Sequence, residues 1–348
     1  MSLVGRAAPR LYAAAWILSL VGLGAVLGLI CAALAGLTED MASWARFGLV
    51  ELSLVALLLG LVAGALAQGR QRRADGWQDY FGPSPLLVAG AWLACSLVAT
   101  LAFEGLLALL GTEPQPALLL LIGLLLNLAC FVGLVQGVVV WPGALTWSDM
   151  VRPRRLAPSR SEAIAALWAA FRPPGASRLR ALAGDLALGA GIAIPAMIGT
   201  TLLAAILVVA LGLTDVNTSN ETTDVITNSD MWLVLIGLAL VAPLGEELFF
   251  RGFATNAWAR SLARDGALVR AMLLFASIHV INVSTDTADL WLLARLAVLA
   301  VATRIPVAWL LGWIYTNRKS IVASLALHAT YNGSLVLIAW WALNQPTY

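Results

Sequence analysis

The chain is poor in charge. Only 11% of its 348 residues are Asp, Glu, Lys or Arg, less than half of the about 25% found in soluble domains. It has a single lysine, Lys319, and only two histidines, His279 and His328. Its three cysteines, Cys31, Cys95 and Cys130, lie in apolar runs without metal-ligand spacing. They read as packing or lipid-facing thiols rather than as a zinc or disulfide framework. The basic residues flank apolar stretches and form no patch with interleaved aromatics, which argues against nucleic-acid binding. The net charge of +2 says less than where the charges stand.

What the chain does have is apolar length. The hydrophobic fraction is 61% and the mean hydropathy +0.88. This composition marks an all-α polytopic membrane protein. A spanning helix needs about 20 apolar residues, and on that rule nine spans are expected, at about 11–37, 47–69, 85–110, 117–141, 182–212, 231–250, 268–283, 290–316 and 320–343. The seventh is the shortest. The first is too long for a signal-peptide core and reads as a retained anchor.

Basic residues concentrate in alternate connections. The N-terminus and the segments 70–84, 142–181, 251–270 and 318–319 hold 18 of the 21. The intervening loops are nearly free of them, and 213–230 carries Asp215, Glu221, Asp224 and Asp230 instead. Basic loops stay cytoplasmic. The N-terminus is therefore expected inside and the C-terminus outside. Trp141, Trp232 and Trp291 stand near span ends, where an amphipathic ring suits the headgroup level. Three regions follow: four N-terminal helices (1–141), a cytoplasmic loop (142–181) and five helices (182–348). Within the loop, Ser161–Phe171 reads as a short interfacial helix, with Ile164, Leu167, Trp168 and Phe171 on one face.

The chemistry-bearing residues cluster in the last region. Glu246 and Glu247 stand together toward the cytoplasmic end of the sixth span, with Arg251 one turn after Glu247. Phe275 and His279 share a face in the seventh span, and His328 and Asn332 in the ninth. Ionisable groups are costly at such depth, so they mark function by default. The expected depths agree: His328 lies about 12 Å in from the cytoplasmic edge. A carboxylate beside an imidazole can take a proton from water. Two adjacent acids with different neighbours can divide the roles. The second imidazole and an amide can donate hydrogen bonds to an oxyanion. That set suits hydrolysis of an amide bond by water, and no Ser or Cys has a comparable partner. The alternative for Glu247 and Arg251 is a neutralised pair that fixes the helix.

The three motifs Glu246-Glu247-Leu-Phe-Phe-Arg251, Phe275-Ala-Ser-Ile-His279 and His328-Ala-Thr-Tyr-Asn332, with Gly312-Trp-Ile-Tyr between the last two, resemble those of the CAAX-processing and bacteriocin-processing intramembrane proteases (type II CAAX prenyl endopeptidase, or Abi, family) over about residues 231–343. The resemblance implies a catalytic cavity open to the cytoplasm. It implies water activated by Glu246 and His279, an oxyanion site at His328 and Asn332, and Glu247 and Arg251 in support. It also implies a peptide or protein substrate, membrane-associated or lipidated. No cofactor is favoured; the alternative is zinc held by Glu246, His279 and His328. The Ala-, Leu- and Arg-rich composition suggests the cytoplasmic membrane of a bacterium.

Two other classes compete. A membrane transporter or permease fits the span number and Arg304 deep in the eighth span, but Pro195, Pro243 and Pro306 form no matched pair of broken helices. A non-catalytic immunity or scaffold protein would keep the motifs without the activity. Glu51, Glu104 and Arg295 lie near the outer ends of their spans, where they can reach the interface. Asn217-Thr-Ser and Asn220-Glu-Thr fit glycosylation sequons.

Overall fold

A computed structural model describes residues 7–34, 38, 41–153, 177–214, 216, 230–283 and 289–345. The helix at Ser161–Phe171, the loop acids Asp215, Glu221 and Asp224, and the two sequons expected from the sequence lie outside the described residues. The described residues are helical with no strand. Eight helices are long and apolar enough to cross a membrane: α1 (Pro9–Ala33), α2 (Trp44–Ala74), α3 (Pro85–Leu110), α4 (Pro116–Val140), α5 (Arg178–Ala210), α6 (Met231–Ala259), α8 (Leu290–Arg318) and α9 (Ile321–Leu343). The segment between α6 and α8 forms a shorter helix, α7 (Arg264–Ile278), that ends in a 3-10 turn, His279–Asn282.

The expected ninth spanning helix at 268–283 is therefore corrected. Hydropathy alone cannot see that α7 begins among Arg264, Asp265 and Arg270 and loses its α-helical hydrogen bonding at His279. Arg264 Nη2 donates to Thr316 Oγ1 at 3.0 Å, so α7 starts level with the end of α8. Leu290, where α8 begins, is about 39 Å away along that helix. α7 supplies about 22 Å of the distance.

The chain forms two compact units, Met1–Pro114 with Ile122–Trp147, and Gln115–Leu121 with Ser148–Tyr348. In the first, α1 packs on α2 and α2 on α3. Gly22 lies against the backbone of Leu57 and Gly60 against that of Ser19, leaving no room for a Cβ. Small residues let membrane helices approach this closely.

The second unit holds the chemistry, and its helices begin where the local sequence dictates. Ser177 Oγ caps α5 by accepting from Arg180 N. Asp230 caps α6 through Trp232 N at 3.0 Å. Asp289 caps α8 by accepting from Trp291 N and Leu292 N. Lys319, in the left-handed region at φ 51°, ends α8, and Ser320 caps α9. The core joins Leu188 and Ala193 of α5, Val307, Leu311 and Ile314 of α8, and Ala323 and Leu327 of α9. At the α5–α9 crossing, a Cβ on Gly189 would stand 2.7 Å from Leu327 N. That close approach sets the position of α9 beside His328. A buried ion pair, with Arg318 Nε donating to Asp185 Oδ1 at 2.9 Å, ties α8 to α5.

Candidate active site

α6 is interrupted where its acids stand. It is π-helical at Ile236–Val241, α-helical at Ala242–Glu246 and π-helical again at Glu247–Thr255. Pro243 supplies the reason for the first break, because it has no N–H to donate. In π geometry the carbonyl of Leu238 would look for the N–H five residues on, which is Pro243. Asn332 Nδ2 of α9 donates to that carbonyl instead, at 3.1 Å. The side chain expected at the oxyanion site thus has a first task in mending the proline-broken helix that carries Glu246.

Glu247 and Arg251 are both buried and meet one turn apart, Nη1 to Oε1 at 2.9 Å. Arg251 Nη2 also donates to the Ala308 carbonyl of α8, and its guanidinium lies 4.6 Å from the Phe275 ring centroid. Phe275 in turn packs its ring against both His279 and His328. Glu247 Oε1 has a second partner, His328 Nδ1, at 2.9 Å. An ionised carboxylate only accepts, so Nδ1 carries the proton and Nε2 is the free nitrogen of His328.

His279 is fixed in the same way. Its Nδ1 is 2.7 Å from the Phe275 carbonyl, which can only accept, so its free nitrogen is also Nε2. Both Nε2 atoms face Glu246 Oε2, at 3.9 Å from His279 and 3.7 Å from His328. Those separations are too long for direct hydrogen bonds. Glu246 Oε2 is a buried atom with no donor from the protein. The Glu246 side chain as a whole is 24% exposed and that of Glu247 is 0%. Of the two acids, only Glu246 is open to a small molecule. Three lone-pair-bearing atoms turned on one another need a donor between them, and a water molecule supplies two O–H groups.

A family model described as Rce1-like, type II CAAX prenyl endopeptidase Rce1-like, matches residues 228–334. Residues 228–334 are similar to that family, over less than half of the chain. The matched stretch contains every residue of the cluster, from Leu238 on α6 to Asn332 on α9. No curated protein and no solved structure matched the chain. The Rce1-like family is a protease family, and the matched stretch includes helices long and apolar enough to cross a membrane.

Among the described residues, no group of three His, Cys, Asp or Glu is spaced to hold a metal ion. The donors of the Rce1-like site illustrate why. A zinc ion about 2.1 Å from Glu246 Oε2 and each Nε2 would require angles of about 124° and 136°, against about 109° for a tetrahedron. The set is more open than a tetrahedral zinc site.

Sequence reasoning brought Glu246, His279, His328, Glu247 and Arg251 to one place, and the structure assembles them there. Asn332 is joined to α6 at Leu238 rather than to the acids. Asn282 lies in the 3-10 turn after His279. Two features of the second unit have weaker signals in the sequence. One is the Asp185–Arg318 pair, whose signal was an acid four residues inside a span. The other is Tyr315, whose hydroxyl donates to Met150 O at 2.7 Å and accepts from Asn256 Nδ2 at 2.6 Å. An Asn one turn after the Glu-Glu-x-x-x-Arg motif carried that signal.

Proposed function

We propose that the protein is an intramembrane endopeptidase that hydrolyses a peptide bond with water activated at Glu246. A water between Glu246 Oε2 and His279 Nε2 attacks the scissile carbonyl carbon and gives one proton to Glu246. His279 accepts the second O–H as a hydrogen bond and aligns the attacking oxygen. The carbonyl oxygen gains negative charge and is met by His328. Because Nδ1 of His328 already holds its proton toward Glu247, Nε2 donates to that oxygen only from the doubly protonated ring. Asn332 has a second N–H beyond the one given to Leu238, and it completes the oxyanion site. Collapse breaks the C–N bond, and the proton on Glu246 passes to the departing amine. Arg251 holds Glu247 ionised and in place.

The observation that carries this reading is the buried, unpartnered Glu246 Oε2 facing two free imidazole nitrogens. The substrate is a peptide or protein delivered from the membrane, including lipidated ones. The alternation of basic connections supports a site in the cytoplasmic half of the membrane, with the N-terminus inside and the C-terminus outside, and the Ala-, Leu- and Arg-rich composition supports a bacterial cytoplasmic membrane. The test is cleavage of membrane peptides by purified protein. Glu246→Gln, which keeps the shape and removes the base, should lower the rate about 100- to 10,000-fold while the protein stays monodisperse. A Glu246→Gln protein with parental activity ends the proposal.

A further inference from the structure

The first unit holds a cavity of about 630 Å³ at the basic end of α2. One wall is the end of α2, where Ala65 and Leu66 lie below Arg70 and Arg73. The facing wall is the end of α4 and the turn after it, through Val138, Trp141 and Pro142. Phe81, in the loop before α3, closes one side. Ala65 is about 14 Å along the helix from Ala74, and the lining changes character over that length. Ala65, Leu66 and Val138 are apolar, whereas Arg70 and Arg73 set two like charges three residues apart on one face. Arg73 reaches across the cavity. It donates to the Pro142 carbonyl, and its guanidinium lies 4.4 Å from the Phe81 ring centroid. Neither partner is an anion. Arg70 is exposed and has no hydrogen bond or ion pair among the described residues. The intervening Arg72 is committed elsewhere, to the Gly82 carbonyl and the Trp77 ring. Asp75, the acid that follows α2, accepts from Gln71 Nε2 at 2.7 Å. The carbonyl end of a helix repels anions, but the carbonyls of Gln71, Arg72 and Arg73 already accept from Asp75 N, Trp77 N and Gly76 N. Trp141, on the rim, is 78% exposed.

We propose that this cavity binds one anionic phospholipid, with its phosphate on Arg70 and Arg73 and the upper part of an acyl chain along Ala65, Leu66 and Val138. A guanidinium fork matches phosphate oxygens bidentately. Basic pockets between membrane helices take such headgroups, and an indole like that of Trp141 suits the same level. A zwitterionic lipid brings its own cation towards two guanidinium groups and binds less well for that reason. Free phosphate can meet the same arginines but leaves the apolar floor uncovered, so the floor distinguishes a lipid from a soluble anion. The bound lipid joins α2 to the end of α4, by charge at the rim and by apolar contact below it. The site is separate from the cluster around Glu246 and does not depend on its chemistry.

The test uses the full chain, purified in detergent and stripped of lipid. Phosphatidylglycerol and phosphatidylcholine with the same acyl chains are titrated in, and binding is read by native mass spectrometry. Phosphatidylglycerol should bind about tenfold more tightly. Arg70→Gln with Arg73→Gln should remove most of that preference. Arg178→Gln with Arg180→Gln, at the basic start of α5, should keep it. Gly69→Leu fills the cavity and leaves both arginines in place, since a Cβ there meets only the Phe81 carbonyl, at 3.5 Å. It should weaken the binding of both lipids. Glycerol 3-phosphate in large excess should not displace phosphatidylglycerol; displacement assigns the arginines to soluble phosphates and overturns the lipid site. Phosphatidylglycerol with a diazirine high on one acyl chain should crosslink to residues 65–69 or 138–142 of the unsubstituted protein, mapped by peptide mass spectrometry, so the proposal stays testable if a variant fails to fold. Equal binding of the two lipids, a preference that survives loss of both arginines, unchanged binding in Gly69→Leu, or crosslinks confined to other segments overturns it.

Discussion

Removing Arg251 alone should cost more stability than removing it together with the charge of Glu247, while both should impair catalysis alike. Arg251→Met deletes the Nη1–Oε1 bond, the Nη2 bond to Ala308 O and the cation over Phe275. It leaves Glu247 buried at 0% exposure with only His328 to offset its charge. Breaking one side of a buried pair costs about 3–5 kcal/mol. Adding Glu247→Gln removes the stranded charge. What then remains is the loss of the Arg251 bond to Ala308 O, a carbonyl that keeps its helical partner in α8, worth about 1 kcal/mol. The double variant should therefore melt higher than Arg251→Met, by about 2 kcal/mol of recovered stability. Catalysis should not recover. The amide oxygen introduced by Glu247→Gln can still accept from His328 Nδ1, but it carries no charge to stabilise the imidazolium. Losing one oxyanion donor lowers kcat about 100- to 1,000-fold. Thermal unfolding of purified protein and peptide cleavage on the same samples read both quantities. A double variant no more stable than Arg251→Met would refute the buried-charge argument. Full activity in the double variant would refute the role given to the Glu247–His328 pair.

Other outcomes follow from the same coordinates. Gly189→Ala should lower stability by about 1–3 kcal/mol, although the exchange normally favours a helix, because the new Cβ would meet Leu327 N at 2.7 Å and Ala326 Cβ at 2.8 Å. Activity should fall with it as His328 shifts, and a stabilised variant in thermal unfolding would count against the α5–α9 contact. Single cysteines placed after Met1 and before Tyr348, in a background lacking the native three, should react with an impermeant maleimide from opposite sides of sealed vesicles; labelling from one side would mean that 264–290 does not cross. Exhaustive chelation should leave peptide cleavage unchanged. Stoichiometric zinc by metal analysis, with activity lost on removal and restored on return, would give Glu246, His279 and His328 a ligand role despite their open spacing.

The legible part of this protein was what depends on local geometry. A run of about 20 apolar residues spans a bilayer whatever it packs against, so eight spans could be placed from hydropathy. Residues four apart share a helical face, so Glu247–Arg251 and Phe275–His279 were pairs before any fold was known. α7 was overcounted because an apolar window does not register where helical hydrogen bonding ends. Asp185–Arg318 was missed because its partners are separated by 133 positions.

The sequence by itself determined that scarce ionisable groups lie in apolar helices and which of them can pair within one helix. Only the tertiary structure decided which of two adjacent acids faces the free nitrogens of the histidines. Consecutive helical residues point about 100° apart, so Glu246 and Glu247 must face different neighbours. It was the packing of α7, α8 and α9 on α6 that gave Glu247 the arginine and Glu246 the two free imidazole nitrogens. The same packing gave Asn332 a carbonyl that a proline had left without a partner.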